Sequence, residues 1–165
     1  MFQKRYESPL GIIKIKASET GLQEVLFMDE AKDNIIDWSV AENEICTATA
    51  IQLDEYFKGE RIIFDLPLSP VGTEFQQSVW KELLLIPFGK TSTYSAIANS
   101  LNNPLSVRAV GTSNGKNPIA IIIPCHRVIG ADGTLTGYAG GLWRKELLLK
   151  LEGNLHYNQP TLWDD

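Results

Sequence analysis

The sequence predicts an α+β protein in two parts, a β-rich N-terminal half and a helical C-terminal half. Three observations carry that reading. Short runs within the first thirty residues alternate apolar and polar side chains in part, the two-residue period of half-buried strands. Beyond residue 72 apolar side chains recur at three- and four-residue spacing behind a capping signal. Between the halves Pro67, Pro70 and Gly72 crowd together, and the charge balance changes at the same place: residues 1–69 carry 7 basic and 13 acidic side chains, residues 70–165 carry 8 and 7. These signals place a domain boundary at residue 69/70.

The first half begins with three candidate strands, Phe2 to Tyr6, Gly11 to Lys16 and Leu22 to Phe27. Ile13 and Ile15 fall on one face, Lys14 and Lys16 on the other. Ser8-Pro9-Leu10-Gly11 and Glu19-Thr20-Gly21 are the turns between them, giving an antiparallel meander. An acidic, less regular stretch runs from Asp29 to Glu44. Ile45 to Phe57 then reads as a helix, with Ala48, Ile51, Leu53, Tyr56 and Phe57 on its apolar face, Cys46 as core filler and Gly59 as the stop. Ile62 to Leu66 is a candidate further strand, and Pro67 to Gly72 a linker.

The second half opens on Thr73-Glu74-Phe75-Gln76, a capping box. Phe75, Val79, Trp80, Leu83 and Leu84 follow at helical spacing, and Ile86-Pro87-Phe88-Gly89 breaks the helix. Ser92 or Thr93 caps a second helix to about Leu101, with Tyr94 in its first turn. Asn102-Asn103-Pro104 is a tight break, and Leu105 to Asn114 is a third short helix stopped by Gly115. Two short helices around a few turn residues have the shape of a helix-turn-helix, although taken alone they favour a plain helical hairpin. A last helix, Leu142 to Leu151, carries Lys145 and Glu146 as exposed charges and ends at Gly153.

Composition narrows the function classes. An apolar fraction of 44% is enough for a real core. There is no apolar run of about eighteen residues and no signal-like N-terminus, so neither a membrane span nor export is expected. Two cysteines, Cys46 and Cys125, lie far apart without metal-ligand spacing, which points to reduced intracellular thiols. The net charge of −5 argues against nucleic acid at first sight. Between Glu82 and Asp132, however, there is no acidic residue, while Lys90, Arg108, Lys116 and Arg127 all lie there. A neutral-to-basic surface on an acidic protein suits modest DNA affinity.

The chemistry centres on Ile121-Ile122-Ile123-Pro124-Cys125-His126-Arg127-Val128-Ile129. Pro124 fixes its own φ and restricts Ile123, so the thiol sits at a rigid bend. Cysteine reacts as thiolate, and a nearby base or cation favours that form; His126 and Arg127 supply one of each. A structural cysteine beside a hydrogen-bonded histidine would show the same dipeptide. The longer pattern is more specific. Pro-Cys-His-Arg-Val, preceded by Asn117-Pro118 and followed by Gly137-Tyr138-Ala139-Gly140-Gly141, resembles the active-site motif of the O6-alkylguanine-DNA alkyltransferases, the methylated-DNA–protein-cysteine methyltransferases. The resemblance runs in matching order from about Gly72 to Gly153.

The resemblance implies a fold, a reaction and a set of roles. The N-terminal half would be a ribonuclease-H-like β-sheet with a helix, structural in role, and the C-terminal half a helical domain with a helix-turn-helix. The reaction would be irreversible transfer of the alkyl group from O6-alkylguanine, and from O4-alkylthymine, in double-stranded DNA to Cys125, once per molecule. His126, Glu152 and Asn117 would form the network behind the thiol, with a bridging water between His126 and the sulfur. Arg108, among the small residues Val107, Ala109, Val110 and Gly111, would enter the duplex in place of the flipped nucleotide; a phosphate or a surface carboxylate is the other partner open to such an arginine. Base flipping is also physically required, since a protein thiol cannot reach O6 inside a stacked duplex. Tyr94 would contact N3 of the flipped guanine. Tyr94, Ser95, Ala109, Gly111 and Thr112 would join Arg108 at the DNA. Tyr94, Val128, Tyr138, Ala139 and Gly140 would line the base pocket, with backbone carbonyls of Cys125 and Val128 reading the exocyclic amine. Some relatives hold Ser where Ala139 stands, which bears on tolerance of bulky O6 substituents.

A thioether product has no carbonyl to hydrolyse, so no turnover is expected and no cofactor is needed. Some relatives hold zinc in the N-terminal half, but here that half has one cysteine and no histidine, so no metal is expected. The protein is expected to be a monomer in the cytoplasm, or in the nucleus of a eukaryote. Three other readings compete: a cysteine hydrolase using Cys125 and His126, a non-catalytic binder of alkylated DNA, and a transcription regulator using the helix-turn-helix. Multiple turnover would mark the first. The second replaces the motif cysteine, which is present here. One arginine on the recognition helix of an acidic chain argues against the third.

Overall fold

The computed structural model describes residues 1–29 and 36–153. Residues 30–35, in the middle of the acidic stretch, and the chain beyond Gly153 lie outside the described residues. The chain forms two compact units: Met1–Val71 with Pro118–Ala120, and Gly72–Asn117 with the described chain from Ile121. The excursion of three residues into the first unit has a simple cause. Val25 N–H donates to the Pro118 carbonyl and Ala120 N–H donates to the Val25 carbonyl, both at 2.9 Å. Pairing between segments so distant in sequence leaves no local signature.

In the first unit β1 (Phe2–Ser8), β2 (Gly11–Ala17) and β3 (Leu22–Phe27) form an antiparallel sheet in the order β1-β2-β3. The register pairs Ile15 with Lys4 on one side and with Val25 on the other. Ile13, Ile15, Ala17, Leu22 and Val25 are fully buried. On the opposite face Lys14 meets Glu24 at 2.9 Å. Helix α1 (Glu44–Phe57) packs on β1 and β2. Asn43 caps it by accepting the Cys46 N–H and ties it to the Ser18 carbonyl, each at 3.0 Å.

The buried face of α1 is Cys46, Thr49, Ala50, Leu53, Tyr56 and Phe57, so the expected apolar face is rotated: Ile51 is exposed and Ala48 half-buried. The expected strand at Ile62 to Leu66 is not formed. Ile62 and Ile63 are exposed, and the backbone of Asp65 bonds to the Gln52 side chain amide, N–H to Oε1 at 2.9 Å and carbonyl to Nε2 at 3.0 Å. A side chain on α1 thus takes the bonds a strand partner would have taken. Instead, part of the expected linker pairs with β3: Leu22 N–H donates to Pro67 O and Ser69 N–H to Leu22 O, both at 2.7 Å.

In the second unit α2 (Glu74–Leu83) starts with the capping box read from the sequence: Thr73 Oγ1 accepts from Gln76 N–H and Gln76 Oε1 accepts from Thr73 N–H. Val79, Trp80 and Leu83 are buried, and the Trp80 indole N–H donates to Ser113 O on α4 at 2.9 Å. Gly72 lies against the Trp80 ring so closely that a Cβ there would overlap it. Helix α3 (Tyr94–Ser100) is capped by Thr93. Asn102, at φ +55°, reverses the chain, a conformation that asparagine tolerates. A 3-10 turn over Pro104–Ser106 leads into α4 (Val107–Gly115), which packs on both α2 and α3. Thus α3 and α4 make the helix-turn-helix. Helix α5 (Leu142–Leu151) closes the unit.

Candidate active site and DNA interface

Cys125 opens a 3-10 turn, Cys125–Arg127, that leads directly into the two-residue strand β5 (Val128–Ile129). Strand β5 pairs in parallel with β4 (Ser92–Thr93), Ser92 opposite Val128 and Thr93 opposite Ile129. This short ladder sets the first residue of α3, Tyr94, beside the segment that carries the nucleophile. On the other side of Cys125, Ile121 is buried at φ +71°. A β-branched residue in the left-handed region is strained by about 1–3 kcal/mol and persists only where neighbours hold it. Two residues on, the Asn117 amide donates to Ile123 O at 2.7 Å.

A buried charge cluster ties the 3-10 turn to the end of α5. Glu152, the residue after α5, is 3% exposed and His126 fully buried. His126 Nε2 lies 2.8 Å from Glu152 Oε2. A carboxylate only accepts, so Nε2 carries a proton. Among the described residues Nδ1 is buried without a hydrogen-bond partner. Arg127 grips the same carboxylate with two bonds, Nε to Oε1 at 2.7 Å and Nη2 to Oε2 at 3.0 Å, and donates Nη1 to Ile86 O at 2.7 Å. Burial pushes the Glu152 carboxyl up. The charge and hydrogen bonds of His126 and Arg127 outweigh that and hold it down at about 2, so it stays ionised.

The cation acting on Cys125 is not the one expected. Arg127 is committed to Glu152 and Ile86. Lys145, expected as an exposed charge on α5, is fully buried, and Glu146 is half-buried. Lys145 Nζ donates to Thr136 O at 2.7 Å. Burial lowers its ammonium to about 8, against an opposing pull from Cys125. Spacing carried the signal: Lys145, Leu148, Leu149 and Glu152 recur at three and four residues, so all four face inward. Burial raises the Cys125 thiol above its ordinary range; the Asn117 side chain, Lys145 and nearby backbone groups lower it only in part. The resting thiol is therefore protonated, and attack needs a base.

The loop 130–141 connects β5 to α5. Asp132 Oδ1 accepts from the Thr134 N–H and hydroxyl, and Gly141, at φ +93°, turns the chain into α5. Tyr138 is half-buried, and among the described residues its hydroxyl is buried without a hydrogen-bond partner. Burial pushes this phenol well above its ordinary value, and Cys125 and Glu152 push it further against Arg144. Ala139 is exposed and Gly140 half-buried on the same loop. Thr136 Oγ1 donates to Tyr94 Oη at 2.8 Å. The structure therefore gathers Cys125, His126, Glu152, Asn117, Tyr94, Val128 and Tyr138 in one unit.

Arg108, Ala109 and Thr112 are exposed on α4, with Gly111 half-buried and Ser95 exposed on α3. The Tyr94 ring lies over Gly111; a Cβ there would sit 3.8 Å from the ring. Leu105, in the turn before α4, is 96% exposed. The helix-turn-helix thus presents one arginine among small side chains, with the phenol of Tyr94 against the same helix.

Residues 1–70 match the family described as 6-O-methylguanine DNA methyltransferase, ribonuclease-like domain. Residues 74–154 match 6-O-methylguanine DNA methyltransferase, DNA binding domain. The chain is 52% identical to a methylated-DNA–protein-cysteine methyltransferase of Methanosarcina acetivorans, over 93% of this chain and 99% of that protein. It is 44% identical to the Mycobacterium leprae protein of the same name, over 96% of each. A crystal structure of Mycobacterium tuberculosis OGT in complex with DNA superposes with a TM-score of 0.84 at 42% identity, covering 93% of this chain and 94% of that one. A crystal structure of Mycobacterium tuberculosis O6-methylguanine methyltransferase gives 0.80 at 41% identity, covering 93% of each.

Proposed function

The chain belongs to the 6-O-methylguanine DNA methyltransferase family, and from that premise we propose that it repairs double-stranded DNA by moving the alkyl group of O6-alkylguanine, or of O4-alkylthymine, onto Cys125. The observation that carries the reading is the buried pair of His126, in the turn that bears the thiol, with Glu152 at 2.8 Å. Arg108 enters the duplex from α4 and the damaged base swings into the pocket under loop 130–141. Ser95, Ala109, Gly111 and Thr112 lie along the DNA. Val128, Tyr138, Ala139 and Gly140 line the base pocket, with the carbonyls of Cys125 and Val128 on the exocyclic amine.

His126 Nδ1 takes the thiol proton, directly or through one water, and Glu152 holds the imidazolium that forms. The sulfur then attacks the alkyl carbon in line with the C–O6 bond. As the S–C bond forms, the C–O6 pair passes to the purine. The Tyr94 phenol, donating to N3, stabilises the departing base, which takes up a proton and leaves as guanine. Asn117 fixes the turn around Cys125. Lys145 supplies positive charge near the sulfur during attack. The thioether persists, so each molecule acts once, as a monomer and without a cofactor. Among the described residues no helix is long and apolar enough to cross a membrane, and the reading places the protein in the cytoplasm, or in the nucleus of a eukaryote. Incubation with a duplex containing one O6-methylguanine tests the proposal: it requires one methyl per chain on Cys125, and transfer that survives Cys125→Ala would refute it.

A further inference from the structure

Thr136 is held at both ends. Its carbonyl accepts the Lys145 ammonium at 2.7 Å, and its hydroxyl donates to Tyr94 Oη at 2.8 Å. The first contact anchors loop 130–141 to a fully buried side chain of α5. The second spans 42 residues of sequence to reach the first residue of α3. A phenol has one proton and accepts through its lone pairs. When Thr136 donates, the phenol oxygen is the acceptor, and the Tyr94 proton stays available for another partner. The direction of this bond therefore decides which way Tyr94 can act.

We propose that Thr136, anchored by Lys145, is a positioning residue for alkyl transfer: it orients the Tyr94 phenol so that its proton faces the base pocket. This rests on the function proposed above, in which Tyr94 donates to N3 of the flipped base. During transfer the S–C bond forms, the C–O6 bond breaks, and its electron pair spreads over the purine to N3. There the pre-aimed phenol proton meets the growing charge, and a proton from the phenol or solvent completes guanine while His126 retains the one taken from Cys125. A donor already oriented loses less rotational freedom and needs less reorganisation at the moment of reaction. Thr136 lies on the exposed side of the loop, so its hydroxyl can be removed without opening the core.

The test is a double-mutant cycle on single-turnover transfer from a bound O6-methylguanine duplex, followed by intact-protein mass. Thr136→Val should slow transfer about tenfold, the effect of one neutral hydrogen bond on a rate. Duplex affinity should stay within about twofold, and Thr136→Ser should restore the rate. In a Tyr94→Phe background, Thr136→Val should have no further effect, because the group it orients is gone. Equal losses in both backgrounds would overturn the proposal. So would a loss confined to duplex affinity, which would make Thr136 a DNA contact, or an unchanged rate in Thr136→Val. An unmodified wild-type protein would instead defeat the proposed function itself, a result separate from any of these.

Discussion

Replacing Glu152 with glutamine probes the buried cluster that the proposed mechanism uses. The carboxylate takes three short bonds, at 2.8, 2.7 and 3.0 Å, from His126 and two nitrogens of Arg127. An amide has one acceptor oxygen, and its NH2 group turns a donor toward either the guanidinium or the imidazole N–H. Arg127, 7% exposed, loses its counter-charge. Removing one partner of a buried pair costs about 3–5 kcal/mol. The sign of the pH dependence follows from the depressed carboxyl. Glu152 is held at about 2 against an ordinary 4.5, so its contribution, on the order of 3 kcal/mol, is fully present above pH ~4.5 and fades as pH falls toward ~2. Glu152→Gln should therefore be less stable than wild type by about that amount at pH 7, with the gap narrowing below pH ~4.5. Denaturant titrations at several pH values measure this. Transfer by the folded variant should slow by about a hundredfold or more, the range of a positioned general base. A folded variant that transfers at the wild-type rate, or a stability gap unchanged between pH 7 and pH 3, would refute the reasoning.

Four further outcomes are expected. Cys125→Ala should bind an alkylated duplex as wild type does and transfer nothing, measured by gel shift and intact mass. Arg108→Ala should impair repair of duplex DNA more than reaction with free O6-methylguanine base; equal losses would argue against a role in extrusion. Lys145→Met removes a buried ammonium whose folded value, about 8, lies below the ordinary 10.5. Wild type should therefore gain on the order of 2–3 kcal/mol as pH rises from about 8 to 10.5. The variant should lack that rise, equal or exceed wild type in stability at pH 7, and transfer more slowly. Thr73→Ala deletes the cap of α2 and should lower stability by about 1 kcal/mol without changing the transfer rate of the folded protein.

What the sequence revealed was local or carried by a long motif. The α2 capping box needs only Thr73 and Gln76; the short helices around Asn102 and Pro104 fit a plain hairpin as well, and the resemblance singled out the helix-turn-helix. The motif around Cys125 led to His126 and Glu152, although 26 residues separate that pair. The features that stayed hidden depend on the direction a side chain takes in three dimensions. Lys145 looks like a surface charge by residue type; only its place in the Lys145, Leu148, Leu149, Glu152 stripe says otherwise. Arg127 adjoins His126 in sequence, but a 3-10 turn sends it to Glu152 and Ile86. Ile62 to Leu66 has strand-forming side chains, yet Gln52 satisfies the Asp65 backbone. Nothing in an isoleucine predicts the positive φ of Ile121. The bond from Thr136 to Tyr94 joins two loop-adjacent positions that no periodicity connects.

The most direct test of the central claim is intact-protein mass after incubation with a duplex containing a single O6-methylguanine. The account predicts a gain of one methylene, mapped by peptide sequencing to Cys125, saturating at one per chain while the duplex returns to unmodified guanine. A protein that binds the duplex and gains no mass, or that demethylates many duplexes per chain, would contradict it.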